Sequence, residues 1–189
     1  MHVLTLQQCP VAQVRVNDLA HDVGFSARCA AHLAWAVRQV KGINPDLVIA
    51  SNSMNASERL TDGATGNAAV LEWSAGVRAL MSSVSQRAER TVVLDPPLLW
   101  ASLTKRYTKL SRPADCISHV LHGYNVFVEA TNTGTAASAV EHVRTAPWFC
   151  SFSTCPSFVG KRVVFADGEH LTRDYSLRLT PVLRDALLG

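Results

Sequence analysis

The segment NPDLVIAS, residues 44 to 51, decides the fold class of this chain. Asn44 and Pro45 are a turn signal, and the run LVIAS at residues 47 to 51 is apolar and of strand length. A continuous apolar run of this kind is typical of a strand that is buried on both faces of a parallel sheet. We therefore expect a buried strand here.

Helical patterns stand on both sides of this strand. Residues 26 to 41 precede it, with Ser26 as a cap, Gly42 as a stop, and apolar residues at helical spacing, namely Ala30, Leu33, Val37 and Val40. A polar loop at residues 51 to 67 leads into the clearest amphipathic pattern, formed by Val70, Trp73, Val77, Leu80, Met81 and Val84. The run TVVL at residues 91 to 94 predicts the next strand, and the sequence DPP ends it.

The rest of the chain continues this alternation. We predict further strands at residues 2 to 6, 139 to 143 and 162 to 166. Asp115 can cap a short helix that runs through Val120 and Leu121. Residues 124 to 130 have a strand-like composition, but a helix that reaches Gly134 fits the alternation better. A last helix is predicted from Leu171 to Ala186, with Pro181 kinking it or ending it early.

Alternating strands and helices imply a mainly parallel sheet covered on both faces, in one α/β domain of residues 1 to 189. The net charge is +3, and no basic block interleaves with aromatic residues, so we expect no nucleic-acid partner. No uncharged apolar run approaches the roughly 18 to 20 residues of a membrane helix, and no signal peptide is visible. We expect no cofactor and no metal, because the sequence has no glycine-rich phosphate loop and no ligand cluster at metal spacing. His119 and His122 fit a solvated helix face better than a metal site.

The five cysteines leave two readings open. They include no CxxC pair and no zinc spacing. Cys150 with Cys155, and Cys9 with Cys29, could form disulfides in an extracytoplasmic protein. Equally, all of them could be reduced and buried.

The sequence VVFADGEHLT, residues 163 to 172, carries the chemistry. Asp167 and His170 follow a predicted strand, and functional groups of a parallel sheet gather where strands end. A carboxylate can fix the tautomer of an imidazole, whose other nitrogen then takes a proton from a hydroxyl. The alternative is a surface turn in which Asp167 has a helix-capping role.

Residues 147 to 183 contain a PWFC loop, then Cys155-Pro156, a short strand, the sequence DGEHLT and a helix. This order resembles the C-terminal end of the SGNH hydrolase-like domain of bacterial acyltransferase-3-type O-acyltransferases. Cys9-Pro10, Cys29 and the strand after Asn44 also resemble that family. The resemblance spans most of the chain and is weak between residues 96 and 138.

The resemblance implies a flavodoxin-like (SGNH hydrolase) three-layer fold and a role for each matched residue. Asp167 would orient His170, and His170 would be the general base toward a serine. The disulfides would be Cys9–Cys29 and Cys150–Cys155, with Cys116 left over. Asn52 is the nearest candidate for the oxyanion donor, although SNS departs from the family's Gly-x-Asn-Asp form. The alternative is that Asn52 is a loop residue that bonds its own backbone.

The family's nucleophile lies in a Gly-Asp-Ser motif after the first strand, and this chain contains no Gly-Asp-Ser. We reject Ser26, Ser51 and Ser53 as substitutes because they occupy other positions in the family pattern. In the family's strand order, 2-1-3-4-5, residues 2 to 6 would form strand 2, at the edge. We therefore expect an N-terminally truncated domain that lacks its first strand and is inactive as given.

Two functions follow from the resemblance. The first is an SGNH-type O-acyltransferase or esterase domain that acts on O-acyl groups of cell-envelope carbohydrate. Its partners would be an acylated or acceptor carbohydrate and a membrane acyltransferase domain, on the extracytoplasmic face of the cell membrane. The alternative is a non-catalytic remnant or binding module on the same scaffold.

Overall fold

The structure is a computed structural model that describes residues 1–20, 22–98, 107–138, 140–168 and 170–189. Its helices are α1 Phe25–Ile43, α2 Gly66–Ser85, α3 His122–Ala136, α4 Arg173–Arg178 and α5 Thr180–Leu188. Its strands are β1 Leu47–Ser51, β2 Arg90–Leu94, β3 Ile117–His119, β4 Glu141–Val143, β5 Thr154–Pro156, β6 Phe158–Val159 and β7 Arg162–Val163. Short 3-10 helices occupy Met54–Glu58, Pro113–Cys116 and Ala146–Trp148. In the described ranges, no helix combines the length and the apolar character that crossing a membrane requires.

The chain divides into two compact units. The first unit comprises Met1–Pro96 and Asn125–Val143, and the second comprises Pro97–Tyr124 and Arg144–Gly189. Each unit has its own set of paired strands.

The first unit is built on a three-stranded parallel sheet in the order β1-β2-β4. Leu47 pairs with Arg90, and Val92 pairs with Glu141. The mixed α/β class with a parallel sheet is thus confirmed, as are the strands predicted at residues 47 to 51 and 91 to 94. The strand predicted at residues 139 to 143 is confirmed over Glu141–Val143, while Ala139 lies outside the described residues.

The prediction that residues 47 to 51 are buried on both faces is wrong. β1 lies at an edge of the sheet, and its Ile49 is 48% exposed. The middle strand β2 is the buried one, with Thr91, Val92 and Val93 each at most 3% exposed. An edge strand has a neighbour on one side only, so its apolar side chains receive less cover than those of the middle strand.

Helices α2 and α3 pack closely in the first unit. The Trp73 indole N–H donates to Thr131 Oγ1 at 3.1 Å, and the Trp73 and Phe127 rings lie 5.2 Å apart. The Ser74 hydroxyl donates to the Ala130 carbonyl at 2.9 Å. A Cβ at Gly134 would lie 2.7 Å from the Ser74 carbonyl oxygen, so the two helix backbones approach as closely as they do because this residue has no side chain. This packing confirms the preference for a helix reaching Gly134.

The second unit contains antiparallel pairs. β3 pairs with β5, and β6 pairs with β7. The strand predicted at residues 162 to 166 is therefore shorter than expected and lies outside the parallel sheet. Gly160, with φ +61°, supplies the left-handed conformation that folds β7 back on β6 in a tight hairpin.

The short helix predicted after Asp115 is absent from the second unit. Asp115 accepts the Arg112 N–H at 2.7 Å within a 3-10 helix that ends at Cys116, and the chain then enters β3 rather than continuing as a helix. Pairing with β5 satisfies the backbone there in place of helical hydrogen bonds. His119 ends β3 and His122 begins α3, so they do not share a helix face.

The strand predicted near the N-terminus is absent, whereas the interruption predicted in the C-terminal helix is present. Residues 2 to 6 form no strand, because no other segment in the described part of the chain pairs with their backbone. The predicted C-terminal helix is divided into α4 and α5, and Pro181 occupies the first turn of α5. The expectation that Pro181 interrupts the helix is confirmed.

Gly134→Ala should destabilise the protein by about 1 to 3 kcal/mol, because the added methyl group forces α2 and α3 apart. The measurement is the free energy of unfolding in urea. Gly123→Ala is the matched control, since it lies in the same helix and a Cβ there meets nothing within 4 Å. Equal stability of the two variants would contradict the close packing at Gly134.

Candidate active site

Asp167 and His170 lie in the connection between β7 and α4. The backbone N–H of His170 donates to Asp167 Oδ1 at 2.7 Å, and His170 Nδ1 lies 2.8 Å from Asp167 Oδ2. The two carboxylate oxygens thus hold the main chain and the ring of the same histidine. A ring held in this way has its Nδ1 occupied by the carboxylate and its orientation fixed.

The segments on both sides anchor this connection. Val164 and Phe165 are buried, and the Ala166 N–H donates to the His170 carbonyl at 2.8 Å. The Thr172 side chain caps α4 by accepting the Tyr175 N–H at 3.2 Å. Thr172 is therefore the residue that caps the helix, while Asp167 closes the turn before it.

Tyr175 connects α4 to the PWFC loop. Its hydroxyl donates to the Trp148 carbonyl at 2.8 Å, and its ring lies 6.0 Å from that of Phe149. Burial raises the pKa of the Tyr175 hydroxyl, and the positive charge of Arg178 acts in the opposite direction. Two segments of the resemblance, the PWFC loop and the sequence after Asp167, are thus in direct contact.

The Asp167–His170 pair is open to solvent. The side chain of His170 is 77% exposed and that of Asp167 is 55% exposed. An exposed ion pair contributes little to stability, because water screens the attraction. The contact therefore matters for the orientation of the imidazole, which is accessible to a large substrate.

Both predicted disulfides are present, which decides between the two readings of the cysteines. Cys9–Cys29 has a Cα–Cα distance of 5.4 Å, and Cys150–Cys155 has one of 4.1 Å. All five cysteines lie in the described ranges, and among them Cys116 is a buried free thiol. The second disulfide closes the loop that follows Trp148.

Asn52 directly follows β1 in the first unit. Its Oδ1 accepts the N–H of Val11, which is 41 residues away and lies beside the Cys9–Cys29 disulfide. The alternative that Asn52 bonds the backbone of its own loop is thus replaced by a long-range contact. Because the oxygen accepts this bond, the plane of the side-chain amide is fixed and its Nδ2 is the end that can donate.

A second histidine–aspartate pair, which the sequence patterns did not predict, lies in the first unit. His142 Nε2 lies 2.7 Å from Asp95 Oδ1, and the two side chains are only 5% and 1% exposed. His142 Nδ1 lies 3.3 Å from Asn132 Oδ1 on α3. The other oxygen of Asp95 is buried and has no hydrogen-bond partner among the described residues. The signal was present, since Asp95 follows one predicted strand and His142 falls within another, but the strand order was needed to see it.

No group of three or more metal-ligating side chains occurs in the ranges that the structure describes.

His142→Ala should destabilise the protein by about 3 to 5 kcal/mol, because it leaves the Asp95 carboxylate buried without its partner. Thermal and urea unfolding measure the loss. Glu141→Ala is the control, because Glu141 lies beside His142 in β4 and forms a solvent-accessible pair with Arg90 of β2. This variant should leave the unfolding midpoint close to that of the wild type. A similar loss in both variants would show that burial does not set the cost.

Replacing both Cys9 and Cys29 by serine should cost about 3 kcal/mol, because that disulfide closes the longer loop, and replacing Cys150 and Cys155 should cost about 2 kcal/mol. The sequence separations are 20 and 5 residues. Unfolding in urea with and without reductant checks both values. If Cys150–Cys155, which closes the shorter loop, stabilises the protein more than Cys9–Cys29 does, the entropy of loop closure does not explain the stabilisation.

The chain is similar in structure to the periplasmic domain of the lipopolysaccharide acetyltransferase of Salmonella serovar Paratyphi A. The TM-score is 0.63 at 15% sequence identity, and the match covers 93% of this chain and 69% of that one. At this identity the similarity shows the fold. No curated protein sequence matches the chain.

The sequence itself carries the family assignment. The model of the SGNH domain that is fused to AT3 domains matches residues 1–185 of the 189-residue chain. This match covers both disulfides and the Asp167–His170 connection. The chain therefore belongs to the family of SGNH domains fused to AT3 domains.

Proposed function

We propose that this chain is the part of an SGNH-type O-acyltransferase or esterase domain that supplies the general base. The observation that carries the proposal is the contact of both Asp167 oxygens with His170. The family assignment supports the class of reaction, because SGNH domains transfer or hydrolyse O-acyl groups. The fold similarity to an acetyltransferase domain is consistent with it.

In this mechanism Asp167 holds the Nδ1–H of His170, so that Nε2 presents its lone pair. Nε2 takes the proton of a serine hydroxyl as the serine oxygen forms a bond to the acyl carbon. The imidazolium then gives that proton to the departing oxygen, which leaves an acyl-serine. A sugar hydroxyl or water, deprotonated in turn by His170, releases the acyl group and regenerates the serine.

Asn52 is the proposed donor to the oxyanion. Its amide is oriented by the contact between its Oδ1 and the Val11 N–H, which leaves Nδ2 to donate. A donor fixed in advance stabilises developing negative charge without a cost of reorganisation. This proposal assigns a role to the Cys9–Cys29 disulfide, which holds the loop that contains Val11.

The nucleophile is the missing component. The sequence contains no Gly-Asp-Ser, Ser26 lies in the first turn of α1, and Ser51 ends β1. We infer that residues 1–189 alone are inactive, and that the serine comes from polypeptide outside this sequence. In the complete protein, an AT3 domain in the membrane would deliver the acyl group to carbohydrate on the extracytoplasmic side.

The first experiment measures hydrolysis of p-nitrophenyl acetate by purified residues 1–189. The expected rate is no higher than that of an equal concentration of free histidine, because no acyl-serine can form without the nucleophilic serine. Turnover that disappears in Ser26→Ala or Ser51→Ala would contradict the assignment of the nucleophile.

The second experiment uses the polypeptide encoded by the in-frame sequence upstream together with residues 1–189. If it contributes Gly-Asp-Ser, Asp167→Asn should lower kcat by about a thousandfold or more, because the amide no longer holds the required tautomer of His170. Asp185→Asn is the control, since that exposed carboxylate contacts Arg184 instead. An upstream sequence without Gly-Asp-Ser, or full activity in Asp167→Asn, would favour the non-catalytic remnant or binding module, for which Asp167 and His170 are dispensable.

A further inference from the structure

A surface cavity in the second unit has a composition that the proposed reaction does not use. Its volume is about 400 Å³, and it is lined by Arg162, Asp174, Leu177 and Arg178. Arg162 belongs to β7, and the other three residues belong to α4. These are the two elements that flank the connection with Asp167 and His170.

The cavity has an excess of positive charge. Neither Arg162 nor Arg178 forms an ion pair with another residue in the described part of the chain. Among the described residues that line the cavity, two carry a guanidinium group and one, Asp174, carries a carboxylate. Guanidinium groups bind phosphates and carboxylates through paired N–H donors, so this arrangement favours an anionic ligand.

The remaining two residues point to a sugar rather than to a bare ion. The Asp174 carboxylate can accept hydrogen bonds from hydroxyl groups but repels a small anion placed beside it. Leu177 is 57% exposed and offers an apolar surface next to the charges. A sugar ring has both features that these residues need, namely hydroxyl groups and a face of C–H bonds.

We propose that this cavity binds a sugar residue that carries a carboxylate or phosphate group. Arg162 and Arg178 bind the anionic group, Asp174 accepts hydroxyl donors, and Leu177 packs against the ring. Binding itself is independent of the catalytic assignment. Its reading as an acceptor subsite rests on the proposed function.

The position of the cavity suits such a subsite. α4 begins three residues after His170 and has six residues, so it spans about 9 Å at the usual helical rise. Asp174, Leu177 and Arg178 lie along this short helix. Under this proposal, a glycan with a hydroxyl group at the imidazole of His170 places a neighbouring sugar residue in the cavity.

The test measures binding of glucuronate and of glucose to purified residues 1–189 by NMR titration at low ionic strength. We expect glucuronate to bind at least about tenfold more tightly than glucose, because a charged hydrogen bond to each guanidinium adds to its affinity. Arg162→Gln and Arg178→Gln should each weaken glucuronate binding by about tenfold. The difference in glucuronate affinity between the wild type and each variant should shrink as the salt concentration rises. Circular dichroism verifies that each variant is folded.

Arg173→Gln and Arg184→Gln are the matched controls, because they remove the same charge from exposed positions that do not line the cavity. Equal affinity for glucose and glucuronate would overturn the proposal, as would an equal loss of binding in the control variants. Binding to phosphatidylglycerol vesicles without binding to glucuronate would overturn it too, since the charge would then serve a lipid surface. None of these results depends on turnover, so loss of the subsite and loss of the catalytic assignment are separate outcomes.

Discussion

The close approach of α2 and α3 is the constraint on which the first unit depends. Gly134 lets the two backbones come together, and Trp73 then lies against Phe127 while its N–H is satisfied by Thr131. The buried residues of α2, among them Val77 and Leu80, complete this core. In the chain, α2 lies between β1 and β2, and α3 lies between β2 and β4, so the helices that pack here also connect the strands that carry or precede Asn52, Asp95 and His142.

The two histidine–aspartate pairs have the same type of contact but differ in their exposure to solvent, and we expect them to have different roles. Asp95 and His142 are enclosed, and their contact joins the end of β2 to β4. Asp167 and His170 make an equally short contact but remain largely exposed. A buried pair is strongly coupled to folding, because loss of one partner leaves the other buried without compensation. An exposed pair costs little to open, and its histidine is accessible to a substrate.

The two disulfides stabilise loops that bear on the proposed chemistry. Cys9–Cys29 holds the loop whose Val11 N–H contacts Asn52, and Cys150–Cys155 closes the loop that follows Trp148. The backbone carbonyl of Trp148 in turn accepts a hydrogen bond from the Tyr175 hydroxyl on α4. Disulfides of this kind persist in oxidising compartments, which agrees with the extracytoplasmic location that we propose.

The sequence by itself determined the features that depend on neighbouring residues. Helical spacing identified α1 and α2, and apolar runs identified β1 and β2. The spacing of Asp167 and His170 left a plain surface turn open, and the family resemblance was needed to predict that the carboxylate orients the imidazole. The tertiary structure alone decided that β1 lies at an edge, that β7 turns back in a hairpin, and that Asp95 meets His142. These outcomes depend on which strands become neighbours. Strand order is set by packing between segments that are distant in the chain, and local residue patterns do not encode it.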